Sequence, residues 1–485
     1  MAPETRSAYE AVIGLEVHCQ LLTESKVFSS DANRYGSRPN TNISVITLGH
    51  PGTLPRLNKK AVEYAIRMGL ACNCEISRYN VFARKNYFYP DLPKGYQLSQ
   101  DKTPICVGGY VALKTKDGAG KRVVLNRIHL EEDAGKSIHL AGEADTLVDL
   151  NRAGTPLIEI VTDPVIRSSE EAYAYLTEIR KLVRYLDICD GNMEEGSMRC
   201  DANISVMPRG SQVLGTKVEV KNMNSIRNVQ RAIDHEIERQ IALVAAGETI
   251  VSETRTFNAD DGRTYSMRTK ETMNDYRYFP EPDLAPLIVS EEWLERVRAA
   301  LPALPQELYE RFTGQYGLPD YDAGVLTDSK GVALYFEEVC RHTRNYKAAS
   351  NWVMTAVKSY LNDANLEIEA FPVPAAALAG LIGLVDSGKV NHTLASQKIF
   401  PLMLQHPGTP AAQLAEAHNL VLQSDGGTLQ TLINEVLAAN PEKVKEFRKG
   451  KKALLGMFMG EVMKKTGGKA DPKLTTELLN KSLRE

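Results

Sequence analysis

Glu131 and Glu132 stand side by side in Ile128–Ser137, IHLEEDAGKS, between apolar residues and a small Ala-Gly-Lys-Ser turn. Neighbouring carboxylates repel. Leaving an apolar-flanked strand together costs them free energy unless cations, hydrogen bonds or water neutralise them. A divalent-metal site is one reading of this pair and a solvated turn is the other. On a strand, His129, Glu131 and Asp133 would share one face and Ile128, Leu130 and Glu132 the other. The GKS tripeptide invites comparison with a phosphate-binding loop. That pattern requires glycine where Leu130 stands, and the acids at 131–133 would repel phosphate, so it is rejected.

Two further stretches carry groups of the same kind. Residues 9–22, YEAVIGLEVHCQLL, alternate as a strand, so Glu16 and His18 project together from the face opposite Ile13, Leu15 and Val17. That is ligand-like spacing, and a half-exposed edge strand is the alternative. In LVDLNRAGTPLIEIVTDP, Glu159 shares a face with Leu157 and Val161, where an uncompensated charge is costly; Arg152 is a possible ion-pair partner.

The elements that must hold these groups follow from periodicity and punctuation. KKAVEYAIRMGL, residues 59–70, reads as an amphipathic helix. RKNYFYPDLPKGYQLSQ, residues 84–100, reads as a proline-stiffened loop bearing Arg84, Lys85 and Lys94, fit to bind an anion or to pack as an aromatic turn. A hairpin turning at Lys116-Asp117-Gly118 delivers the paired glutamates. Residues 168–186 form a helix that Ser169 can cap. Strands follow, with Arg199, Asp201, Asn203 and Ser205 on one face, then Lys217, Glu219 and Lys221 on one face. Residues 224–246 form a long helix, and a hairpin turns at Asp260-Asp261-Gly262. Several polar strand faces in one region predict an antiparallel sheet lining a polar cleft.

Beyond about residue 291 the patterns are helical to the end. The expected division is 1–290 as a catalytic domain, 291–405 as a helical domain, and 406–485 as a basic helical tail. Residues 441–485 hold twelve Lys and Arg against six Asp and Glu, although the whole chain carries only −3. A tail that touches phosphates is one reading and a solvated helix the other. Seven cysteines without a CxxC pair suggest a reducing compartment and argue against structural zinc. The N-terminus shows no secretory apolar region, and the longest apolar run, Ala370–Val385, is short and carries Pro372 and Pro374. A cytoplasmic bacterial protein is expected, with neither membrane nor DNA as partner.

Seven stretches in order, GLEVH, RKNYFYPDLPKGYQ, HLEEDAGKS, DLNRAGTPLIEIV, EEGSMRCDANIS, KNMNS and DYRYFPEPDL, closely resemble the family formed by the B subunits of aspartyl/glutamyl-tRNA amidotransferases. The resemblance implies an α+β fold: an antiparallel-sheet cradle like that of glutamine synthetase and guanidino kinases, then a helical domain and a small YqeY-like helical tail that contacts tRNA. It implies ATP-dependent phosphorylation of the side-chain carboxylate of mischarged Glu-tRNA(Gln) or Asp-tRNA(Asn), followed by amidation. By the same resemblance His18, Glu131 and Glu159 are ligands of a catalytic magnesium, Mg2+. Glu16, Glu132 and Asp201 are ligands of a second divalent ion, provided that the strand ends or bulges between Glu131 and Glu132. Glu131 and Glu159 are thereby catalytic. On charge and motif position, Arg152, Lys217, Asn222 and Arg277 are candidates for the nucleotide phosphates or the substrate carboxylate, Arg277 as a catalytic group. Lys85 and Lys94 would line the ammonia route or the tRNA end. For each of these six a structural ion pair is the alternative.

Ammonia is expected from a separate glutaminase, the family's A subunit, joined with a small C subunit in a heterotrimer, since no amidase-like Ser-Ser-Lys set or class I glutaminase cysteine is found. The absence of a synthetase-like insertion argues against the archaeal tRNA(Gln)-specific relative. A free-standing carboxylate–amine ligase and a non-catalytic tRNA-binding scaffold are the competing classes. The basic tail speaks against the first and six metal-ligand types against the second.

Overall fold

The computed structural model describes residues 3–114, 120–140, 142–269, 276–422 and 426–484. The chain divides into two units, residues 1–304 and 305–485. Lys116-Asp117-Gly118 lies outside the described residues, although the strands Tyr110–Lys114 and Gly120–Glu132 that it joins pair antiparallel.

The first unit is organised by the strand Tyr9–Gln20, whose Ile13, Leu15, Val17 and Cys19 are completely buried. Each such side chain contributes about 1.5–3 kcal/mol by leaving water. Their face is covered by apolar stripes of two helices, Ser169–Tyr185 and Ile226–Ala245, through residues such as Leu176, Ile179, Val229 and Ile233. Ser168 rather than Ser169 caps the first helix, accepting from Glu171 N, and Ser225 caps the second. The helix Lys59–Ala71 starts at Asn58, whose side chain accepts from Lys60 N and Ala61 N.

Among the described residues thirteen strands form one sheet. Tyr9–Gln20 lies at its centre between Pro156–Thr162 and Met198–Pro208. Gly120–Glu132 continues the sheet beyond the former, and Val218–Lys221 beyond the latter. All these pairings are antiparallel, as expected. The exception in the sheet is the parallel pairing of Val218–Lys221 with Glu253–Asn258, made possible by the long helix that intervenes in the chain and returns it in the same direction. Because one face is sealed by helices, every second residue of the central strands is left to the opposite, concave face.

The second unit is helical in its described residues. Its last helices, Gly426–Ala438, Pro441–Arg448, Leu454–Lys465 and Pro472–Arg484, close around Leu429, Ile433, Phe458, Val462, Leu479 and Leu483. Lys449, Lys451, Lys452, Lys464 and Lys465 are exposed. Among the described residues no helix is long and apolar enough to cross a membrane.

Candidate functional site

Strand register brings the sequence-separated acids together. His18 lies directly opposite Glu159, which lies opposite His129 on the next strand; on the other side Glu16 lies opposite Asp201 and Asn203 opposite Glu219. Side chains directly opposite in an antiparallel pair sit about 5 Å apart. The result is a cleft of about 970 Å³ lined by all of these but Asn203, with Lys85, Tyr87, Arg199, Lys221, Asn222, Tyr276 and Tyr278 also lining it.

Two carboxylate clusters occupy the floor. In the first, ligand atoms of His18, Glu131 and Glu159 lie within 4.8 Å of one another. His18 Nε2 is 3.5 Å from Glu159 and 3.9 Å from Glu131. His129 Nε2 lies 3.4 Å from Glu159 and 3.6 Å from Glu131. In the second, Glu16, Asp201 and Glu219 meet within the same limit. Lys221 Nζ reaches into it, 2.5 Å from Asp201 and 3.1 Å from Glu219.

The electrostatics follow from this crowding. Burial opposes a proton on His18, but its hydrogen bond to Glu159 and the charges of Glu159, Glu131 and Asp201 push its pKa up to about 9. Glu159 is buried, which favours its neutral form, and His18, His129 and Lys85 overcome this to hold it well below the usual carboxylate range. Glu16 is raised, by burial first and then by repulsion from Glu159 and Asp201. At an effective dielectric of about 20, two charges this close repel by roughly 3–4 kcal/mol, so the floor has a strong demand for positive charge. Burial works against the charge on Lys85, yet Glu131, Tyr278 and Glu159 hold its ammonium above the ordinary lysine value. Its Nζ also lies 4.9 Å from the centre of the Tyr276 ring.

Most expected site residues meet here, and several do not. The strand carrying the paired glutamates runs without a break or bulge from Glu131 to Glu132, opposite Leu157 and Pro156; its one register shift is at Val161/Thr162. The expected interruption is therefore corrected, and unbroken alternation turns Glu132 to the reverse side. There Glu132 is buried, ion-paired with Lys94, and accepts from Leu98 N at 2.9 Å. Glu219 stands in the second cluster where Glu132 was expected.

Arg152 is committed to the carbonyl oxygens of Ala134 and Gly135, at 2.9 and 2.6 Å, and to Asp133 rather than Glu159. Lys217 and Arg277 are exposed, and neither these two nor Glu132, Lys94 and Arg152 line the cleft. Lys85 and Asn222 do, the latter in the left-handed region at φ 62° just past its strand.

The GKS turn has a packing explanation. A Cβ on Gly135 would come within 2.9 Å of the Asp149 carbonyl and 3.0 Å of that of Asp91, while Lys136 is exposed with its Nζ 5.7 Å from the Tyr35 ring centre.

Sequence reasoning assigned no role to Glu219, Lys221, Arg199 or His129. The signal for all four was the same period of two that exposed Glu16 and His18, since each shares a strand face with a residue already singled out.

The stretch that carries these residues also matches known proteins. The family model described as the GatB/GatE catalytic domain matches residues 11–295, and one described as the GatB domain matches residues 334–483. A protein of Thermosynechococcus vestitus, named as the B subunit of an aspartyl/glutamyl-tRNA(Asn/Gln) amidotransferase, is 50% identical over 498 residues, covering 100% of this chain and 99% of the relative. Proteins of the same name from Trichlorobacter lovleyi and Geobacter sulfurreducens are also each 50% identical, over 475 and 479 residues, covering 98% of this chain and 99% of each relative.

Proposed function

The chain belongs to the GatB family of glutamine-dependent tRNA amidotransferases, ATP-dependent ligases whose members act with GatA and GatC, and on that premise we propose that the cleft activates a carboxylate by phosphorylation. The substrate is the side chain of Glu on mischarged tRNA(Gln) or of Asp on mischarged tRNA(Asn). Ammonia does not displace oxide from a carboxylate, because oxide is too poor a leaving group. When a carboxylate oxygen attacks the γ-phosphorus of ATP, ADP leaves and an acyl phosphate forms. Ammonia then adds to the acyl carbon, inorganic phosphate departs with the carboxylate oxygen, and the nitrogen loses a proton, leaving the amide.

The observation that carries this reading is the convergence of His18, Glu131 and Glu159 in one polar cleft beside the ammonium of Lys85. Oxygen-rich donors with one imidazole, on a floor whose repulsion already raises Glu16, fit a hard divalent cation such as Mg2+. His18, Glu131 and Glu159 would hold it, and Glu16, Asp201 and Glu219 would hold a second. When bound, such an ion neutralises the triphosphate and polarises the transferring phosphoryl group. Phosphoryl transfer otherwise needs little beyond position and charge, which this chain supplies. Lys85 offers its ammonium to the substrate carboxylate or the terminal phosphate. Asn222, at the cleft wall with its amide nitrogen donating to Thr256 Oγ1 at 3.2 Å, would offer its remaining N–H to the nucleotide. Ammonia would arrive from the glutaminase partner GatA, and the exposed lysines of the tail would meet the tRNA backbone.

The test supplies the assembled heterotrimer with Glu-tRNA(Gln) or Asp-tRNA(Asn) labelled with 18O in the side-chain carboxylate, ATP, and glutamine or ammonium. One labelled oxygen should appear in the released phosphate. Unlabelled phosphate would refute the acyl phosphate. Amidation of free glutamate with ammonium would favour a free-standing ligase, and tRNA binding without turnover in the full assembly would favour a scaffold.

A further inference from the structure

We propose that Arg199 is a further catalytic residue: a guanidinium fixed at one end by Asp133 that binds the phosphoryl group in transit between the two carboxylate clusters. This rests on the phosphorylation reading above. Arg199 lies opposite His18 in the strand register and two residues before Asp201 on the same face, so it stands between the clusters and lines the cleft. Asp133 does most to hold its charge, Glu131 and Asp201 add to this, and among the described residues its hydrogen-bond partner is Asp133, which belongs to neither cluster. That bond uses Nη2 at 2.8 Å. A guanidinium has five N–H donors, and among the described residues this is the one side-chain hydrogen bond that Arg199 makes.

Asp133 is built as an anchor. It is 5% exposed. Its Oδ2 accepts from Gln20 Nε2 at 2.7 Å as well as from Arg199, and lies 3.8 Å from Arg152 Nε; its Oδ1 accepts from Ala134 N at 3.0 Å. Arg152, fastened to two backbone carbonyls, already supplies one positive charge to this carboxylate. Arg199 holds Asp133 down more strongly than Arg152 does. Of the two arginines against this buried carboxylate, Arg199 is the one that lines the cleft, near Glu131 and Asp201.

The chemistry of that guanidinium matches a phosphoryl group in flight. Transfer spreads negative charge over three equatorial oxygens, and a planar, weakly hydrated fork with its donors fixed in advance binds that arrangement better than it binds the ground state. Asp133 is then a positioning residue, acting through the orientation of Arg199.

The experiment uses the full chain assembled with GatA and GatC, as wild type, Arg199→Lys, Arg199→Ala and Asp133→Asn. It measures kcat, KM for ATP, Mn2+ affinity, unfolding midpoint, and the affinity for MgADP with and without aluminium fluoride, a mimic of the transferring phosphoryl. Arg199→Lys keeps the charge and loses the fork. It should keep Mn2+ and MgADP affinity within about threefold, lose the tightening that aluminium fluoride gives the wild type, and lower kcat by about 10²–10³ with little change in KM. Asp133→Asn should show the same pattern at smaller size.

Should Arg199→Lys retain the tightening and a kcat within about threefold, or should every variant lose Mn2+, MgADP and stability in proportion to kcat, the role assigned here is overturned. Arg199→Ala separates a lost clamp from a misplaced lysine: restored tightening on adding guanidinium ion supports the clamp. A wild-type assembly that amidates without forming ADP refutes the phosphorylation reading itself, and this proposal with it.

Discussion

The two carboxylate clusters on the cleft floor contain similar donors and are neutralised in different ways. The first cluster includes an imidazole, His18, whose proton must leave before Nε2 can bind a metal, and has the His129 ring beside it. Glu16, Asp201 and Glu219 hold the ammonium of Lys221, a permanent cation supplied by the chain. The first cluster also has the ammonium of Lys85 near Glu131 and Glu159, from the cleft wall. The second already has a tenant that a divalent ion would have to displace. The two clusters thus differ in the base that lies among their carboxylates, an imidazole in the first and an ammonium in the second.

Breaking the first cluster should have the largest effect. Glu131→Ala is expected to reduce ATP-dependent amidation by at least about 10²–10³-fold while leaving tRNA affinity within about twofold, read from product formation and filter binding. Comparable loss of both would undo the role given to Glu131. Its neighbour sharpens the contrast. Glu132→Gln strands the buried ammonium of Lys94 and should cost about 3 kcal/mol of stability, seen in denaturant unfolding, with Mn2+ affinity unchanged; weakened Mn2+ binding would return Glu132 to the metal sites.

Lys221→Ala removes the tenant. The second cluster should then take up Mn2+ about tenfold more tightly, a change of about 1.4 kcal/mol visible in calorimetry, and unaltered stoichiometry and affinity would show that Lys221 is not in competition. The smallest effect is on the unfolding midpoint. Ten dissociation constants of Mg2+ should stabilise the wild type by about 1.4 kcal/mol over chelator, or about 2–4 °C. That difference should vanish in His18→Ala combined with Glu159→Gln; its persistence would place the stabilising ion elsewhere.

Much of this site could be read before any coordinates, because strand alternation is a local property. The faces assigned to Ile13, Leu15 and Val17 against Glu16 and His18 are those observed. Glu131, Glu159 and Asp201 likewise project into one cleft.

What failed was reasoning that let chemistry overrule geometry. Two adjacent glutamates were both sent to metals by supposing a bulge, whereas the strand keeps its pleat and Glu132 finds Lys94 on the reverse side. Arg152 and Lys94 were weighed as ligand-binding cations. Their real partners, two carbonyls with Asp133 and Glu132 respectively, depend on contacts between segments 17 to 38 residues apart that no periodicity reports. Glu219 was placed on a polar strand face lining the cleft but given no ligand role, because alternation names a face and not the partners that meet on it. The parallel pairing of its strand is set by the course of a helix and leaves no mark in the strand itself.

Crystals of the assembly soaked in Mn2+ and measured for anomalous scattering address the central claim most directly. The account expects a peak bonded at once to His18 Nε2 and to carboxylate oxygens of Glu131 and Glu159. Mn2+ that supports turnover yet leaves that position blank, binding only at other sites, would contradict it.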